Sequence, residues 1–193
     1  MIWFFLTSGL FLGWSLGAKD AANVFGTAVG SRMVRFKTAA AVASLFVILA
    51  AVVEGAGTTA TLGHLGAVNA IAGSFTVALA AGVTIAWMTR ARLPVATSQA
   101  IVGGIVGWNL FTGSPTDLEV LSRIVATWLL SPLLAAIFAI LLYLLFKRCL
   151  GRARIHMLRL DAYTRTGLII VGALGSYTLG ANNIANVMGV FVP

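Results

Sequence analysis

Acidic side chains are scarce in this sequence: 193 residues carry five Asp and Glu against 13 Lys and Arg. The single cysteine, Cys149, excludes an intramolecular disulfide. The two histidines, His64 and His156, sit in connections with no metal-ligand spacing around them, so no metal site is expected. A Walker-type phosphate loop and a nucleophile elbow are also missing, which argues against an enzyme and against direct coupling to ATP. Charged residues make up 9% of the chain, too few for the surface of a soluble domain. No basic stretch precedes Ile2, and Leu16 fits poorly before a cleavage at Ala18. The first segment therefore reads as a retained helix rather than a secretory signal.

What is present is apolar surface. The hydrophobic fraction is 60% and the mean hydropathy is +0.99, values that call for lipid. Each crossing takes about 20 apolar residues, so this length suits about six or seven crossings and little else. The runs cover 2–30, 38–53, 68–88, 93–111, 118–146 and 166–192. All read as helices, because a backbone in lipid must satisfy its own hydrogen bonds. Thr116-Asp117-Leu118-Glu119 has the pattern of a capping box opening the fifth run, Lys147 and Arg148 close it, and Ser131-Pro132 predicts a kink within it. The five tryptophans, at 3, 14, 87, 108 and 128, fit interfacial belts or packing, and Glu54 reads as an interfacial residue ending the second run.

The net charge of +8 does not point to nucleic acid, because the basic residues punctuate the apolar runs instead of striping one face. They report orientation. Arg32, Arg35 and Lys37 follow the first run, Arg90 and Arg92 the third, and Lys147 through Arg165 the fifth. This bias places the N-terminus outside and those connections in the cytoplasm, with the fourth run making a net crossing.

Two stretches interrupt the apolar pattern with chemistry. GAKDAANVFGTAVGS, from Gly17, places Lys19, Asp20 and Asn23 inside a membrane segment, where a central Asp or Lys costs about 2.5–3.5 kcal/mol. Asp20 is suited to holding a cation, carrying a proton or pairing with a cationic side chain. Asn23, three residues on, can donate to an anion or offer its carbonyl to a cation. The bland alternative puts Lys19 and Asp20 at a helix end among headgroups. The second stretch, LPVATSQAIVGGIVG from Leu93, has Pro94 ahead of Thr97, Ser98 and Gln99. A helix starting there would aim free N–H groups and hydroxyls outward, an anion site. An ordinary capped helix with Thr97 and Ser98 bonded to their own backbone accounts for it equally well.

The first stretch recurs. LGAKDAANVFG from Leu16 aligns without a gap with LGANNIANVMG from Leu179, matching Asn23 with Asn186 and Gly26 with Gly189. An odd number of crossings between the copies makes this an inverted-topology repeat, the plan of many secondary transporters, with substrate near the midplane where broken helices meet. The expected fold class is an all-α polytopic membrane protein: one repeat of an inverted-repeat secondary transporter with broken or re-entrant helices. Residues 1–160 form the first repeat and 161–193 the first helix of a second. Gly17, Gly26, Gly180 and Gly189 are the candidate helix breaks.

These residues resemble the inorganic phosphate transporter family, the PiT group of secondary transporters. Its repeated signature is close to G-A-N-D-x-A-N-x-x-G-T-x-V-G-S, and its hairpin motif, P-V-S-T-[ST]-[HQ]-A, is similar to Pro94 through Ala100. The resemblance covers the chain as about the first half of a family member. It implies uptake of inorganic phosphate driven by Na⁺ or H⁺, with no other cofactor, in the plasma (inner) membrane. It implies that Asp20, Asn23, Asn183 and Asn186 surround phosphate and cation, that Thr97, Ser98 and Gln99 donate to phosphate, and that Lys19, Asp20 and Asn182 serve the coupling ion or its charge. The chain departs from the pattern at Lys19, where the family usually has Asn, and at Asn183, where the second copy often has Asp. Both changes favour an anion over a bound cation. Lys19 would then pair with Asp20 or stand in for a coupling cation, unless it snorkels to an interface. The rival functions are a permease for sulfate or another oxyanion, and a non-transporting remnant or accessory subunit. The partners implied are phosphate, lipid, and the missing second half or an oligomer. The Lys/Arg bias argues against two copies inserted in opposite orientations.

Overall fold

A computed structural model describes residues 2–63, 71–152 and 156–191. Its elements are α1 (Ile2–Gly30), α2 (Phe36–Gly63), α3 (Ile71–Arg90), α4 (Thr97–Thr112), α5 (Leu118–Arg152) and α6 (Met157–Met188). No strand occurs among the described residues. Among the described residues, α2, α3, α5 and α6 are long and apolar enough to cross a membrane. At 16 residues α4 is short for a span. Several hydroxyls inside the helices are satisfied locally: Ser15 donates to the Phe11 carbonyl at 2.9 Å, Thr76 to Ala72 at 2.9 Å and Thr84 to Ala80 at 2.8 Å. Such back-bonding lets a hydroxyl sit in lipid without an unmet donor.

Several local expectations are corrected. The break anticipated at Gly17 and Gly26 is absent, because α1 runs unbroken from Ile2 to Gly30. Gly180 likewise lies inside α6, and only Gly189, in the turn after α6, marks a helix end. Glycine weakens a helix by about 1 kcal/mol, too little to break one whose freed backbone groups would meet lipid. The cap of α5 is Asp117, whose Oδ1 accepts from the N–H groups of Glu119 at 2.9 Å and Val120 at 3.0 Å. Thr116 instead accepts from Asn109 Nδ2 at 3.0 Å. The helix α5 continues through Pro132. The second helix runs on to Gly63, so Glu54 lies within α2 and accepts from the Tyr177 hydroxyl of α6 at 2.9 Å. His64 lies outside the described residues, and the His156 carbonyl accepts the first backbone bonds of α6.

The chain forms two compact units, Met1–Thr116 with Leu168–Pro193, and Asp117–Gly167. In the first, α1 packs on α3, and α3 on α4. Leu12, Leu16, Val77, Ile85, Ile101 and Ile105 are fully buried there. Close approach depends on Gly82, where a Cβ would lie 2.8 Å from the Phe11 ring. A second apolar cluster joins Phe25 and Ala28 to Val34, Ala39 and Ala43, with Leu168 and Ile169 of α6 against it. In the second unit, α5 is apolar over 34 residues, long enough to cross a membrane.

Candidate binding site

The first unit gathers three separated segments around a polar cluster. Asp20, in mid-α1, is 7% exposed, and both its carboxylate oxygens are engaged. Lys19 Nζ lies 3.7 Å from Oδ1. Asn183 Nδ2 of α6 donates to Oδ2 at 3.2 Å. The Lys19 ammonium also donates to the main-chain carbonyl of Val95. One turn further along α6, Asn186 is buried and its Oδ1 accepts from Ser98 Oγ at 3.4 Å.

Local sequence explains why α4 can join. The stretch 93–96 has no regular secondary structure, and Ala96, extended at φ −96° and ψ 126°, precedes the helix with no side-chain cap. The first backbone bond of α4 runs from the Ala100 N–H to the Ala96 carbonyl, at 3.1 Å. The N–H groups before it have no partner inside the helix and lie beside the Thr97 and Ser98 hydroxyls. Thr97 Oγ1 is buried without a hydrogen-bond partner. A buried hydroxyl with an unmet bond is costly, by about 1–3 kcal/mol, and a bound oxyanion would satisfy it.

The electrostatics suit an anion. A carboxylate alone would repel phosphate, but Asp20 is neutralised by Lys19 and hydrogen-bonded by Asn183. What remains are amide, hydroxyl and main-chain donors at a helix N-terminus, where the partial charge is positive. Among the described residues no group of His, Cys, Asp and Glu could hold a metal ion.

Of the sequence-predicted residues, Lys19, Asp20, Asn183, Asn186, Thr97 and Ser98 come into this region. Asn23, Gln99 and Asn182 are exposed and stay outside the bonded group. The glycines take a different role from the one expected. A side chain at Gly180 would collide with the backbone of Val47, whereas Gly17 and Gly26 have nothing within 4 Å of a would-be Cβ. The open side forms an apolar cavity of about 880 Å³, bordered by Gly17, Gly26, Ala43, Val47, Gly180 and Asn183. Sequence reasoning missed the Val95 carbonyl, which no side-chain pattern could reveal. It also missed Ser74 of α3, whose hydroxyl donates to the Val190 carbonyl beyond α6.

Apolar helices that bury a neutralised ion pair, amides and hydroxyls from distant segments define an integral membrane protein with an internal polar cluster. The model of the phosphate transporter family matches residues 16–193. The chain belongs to that family, which is one of transporters and not of enzymes. It is 33% identical over 159 residues to a protein of Pyrococcus horikoshii named "Putative phosphate permease", covering 76% of this chain and 39% of that one. A sodium-dependent phosphate transporter of Plasmodium falciparum is 33% identical over 150 residues, 70% of this chain and 22% of that one. A permease of the same printed name from Chlamydia muridarum is 28% identical over 194 residues, 93% of this chain and 45% of that one. The chain thus spans less than half the length of these relatives. No solved structure matches it.

Proposed function

We propose that this chain carries inorganic phosphate across the membrane as part of a larger transporter, with the polar cluster of α1, α4 and α6 as its phosphate site. The observation that carries the reading is the convergence of both motif copies and the Thr97-Ser98 helix start on one buried region. Ser98, Thr97 and the free N–H groups of α4 donate to the anion, and Asn186 orients Ser98. Lys19 and Asn183 hold Asp20 so that it does not repel the substrate. The rest of the site comes from the second half of the transporter or from an oligomer, as the short coverage of the relatives supports.

Asp20 and Asn183 occupy equivalent positions in the two copies, 163 residues apart, and bond to each other. Contact between equivalent positions is what a two-fold axis between inverted repeats produces, so it supports that architecture for residues 1–160 and 161–193. Alternating access would rock one repeat against the other, driven by Na⁺ or H⁺. The Lys/Arg bias supports an N-terminus outside, and the family resemblance supports the plasma (inner) membrane.

The test is phosphate uptake in cells lacking their own phosphate carriers, with the chain completed by a family second half and with sulfate as competitor. Saturable phosphate uptake that sulfate fails to inhibit is expected. Equal inhibition by sulfate would assign a general oxyanion permease. Absence of uptake by a complex shown to reach the membrane would assign a non-transporting subunit.

A further inference from the structure

We propose that the Lys19 ammonium is a built-in cation that fills the position a free sodium ion would take, so that this chain holds its anion without sodium. Two oxygens of different origin converge on Nζ: Asp20 Oδ1 at 3.7 Å and the Val95 carbonyl. A carboxylate with a main-chain carbonyl from an irregular segment is the donor set of a hard monovalent cation in a membrane protein. The Val95 carbonyl is available because the first helical bond of α4 is accepted one residue later, by Ala96. The second oxygen of Asp20 is occupied by Asn183, so the carboxylate presents no bare face to a solution ion.

Lys19 is held there rather than reaching for water. Its side chain is 20% exposed and that of Asp20 is 9% exposed. An ammonium tethered to the same helix is always present, whatever the bulk ion composition. A sodium ion entering the same oxygens would face a fixed positive charge within a few ångströms, in a region of low dielectric. The inference rests on the proposed phosphate site only for its transport consequence, which narrows the coupling ion; the cation position stands on geometry alone.

The experiment is thermal unfolding, in nanodiscs without phosphate, of the chain completed by a family second half, with sodium exchanged for choline at constant ionic strength, followed by radiolabelled phosphate binding in both salts. The wild-type chain is expected to unfold at the same temperature in both. Lys19→Gln is expected to gain a sodium-dependent rise in unfolding temperature and sodium-dependent phosphate affinity, on the order of tenfold. Lys19→Arg keeps the charge and is expected to remain indifferent to sodium. Should Lys19→Gln not fold in choline, its recovery by sodium or methylammonium is expected, since either would refill the position. Sodium stabilisation of the wild type, indifference of a folded Lys19→Gln, or failure of either cation to recover an unfolded one would overturn the proposal. Loss of phosphate binding by the wild type in both salts would sink the phosphate reading and leave the sodium result to stand or fall separately.

Discussion

Asp20 of α1 and Asn183 of α6 sit at the same position of two copies of one motif, 163 residues apart, and share a hydrogen bond of 3.2 Å. The bond joins the first and last described helices at a buried carboxylate. Its loss is therefore felt in both folding and binding. Asn183→Leu removes the donor and leaves Asp20 Oδ2 buried and unpaired. A penalty of about 1–3 kcal/mol is expected, read as a lower unfolding temperature in detergent or nanodiscs. Combining it with Asp20→Asn should not recover the loss, because Lys19 then loses its carboxylate partner.

Thr97 and Ser98 should separate stability from binding. Thr97→Val removes a buried hydroxyl that has no partner in the unliganded chain. Its unfolding temperature without phosphate should stay unchanged or rise slightly, and phosphate affinity should fall about tenfold, or ~1.4 kcal/mol. Ser98→Ala should weaken phosphate by a similar factor, measured by equilibrium binding. A loss of stability in Thr97→Val without loss of affinity would assign the hydroxyl to packing.

The glycines of the two motifs should behave oppositely. Gly180→Val drives a side chain into the Val47 backbone and forces α6 from α2, also straining the Tyr177–Glu54 bond. Overpacking against backbone should destabilise by about 3 kcal/mol or leave little folded protein, seen by size-exclusion chromatography. Gly26→Ala meets nothing within 4 Å and should fold at least as well as the wild type.

Two arginines take the left-handed conformation just past helix ends, Arg32 at φ 59° after α1 and Arg92 at φ 57° after α3. Backbone of that kind favours glycine. Arg92→Gly should raise the unfolding free energy by up to about 1 kcal/mol. If the arginine was selected for orientation, the same change should lower the fraction inserted with that loop in the cytoplasm, assayed by cysteine accessibility.

Much of the fold was legible in the sequence, because composition fixes the solvent and the solvent fixes the backbone. A chain with 9% charged residues must enter lipid, and lipid demands helices. The charges of Lys19 and Asp20 and the repeat at Asn186 marked the site for the same reason, since polar groups there need partners. What the sequence concealed was three-dimensional. That Gly17 and Gly26 have open space where a Cβ would stand while Gly180 meets the Val47 backbone depends on which helix lies opposite. Asn23 and Asn186 are equivalent in the repeat, yet one is exposed and the other buried, because only Asn186 faces the start of α4. The Val95 carbonyl belongs to every possible side chain at that position, so no residue type could announce it.

The most direct test of the central claim is equilibrium binding of radiolabelled phosphate in nanodiscs to the chain completed by a family second half, wild type against Asn186→Ala, Thr97→Val and Ser98→Ala. Saturable binding that sulfate does not displace, weakened about tenfold by each substitution with unfolding temperatures held, is the predicted result. Binding unaffected by all three changes would place the phosphate elsewhere and contradict the assignment of this cluster.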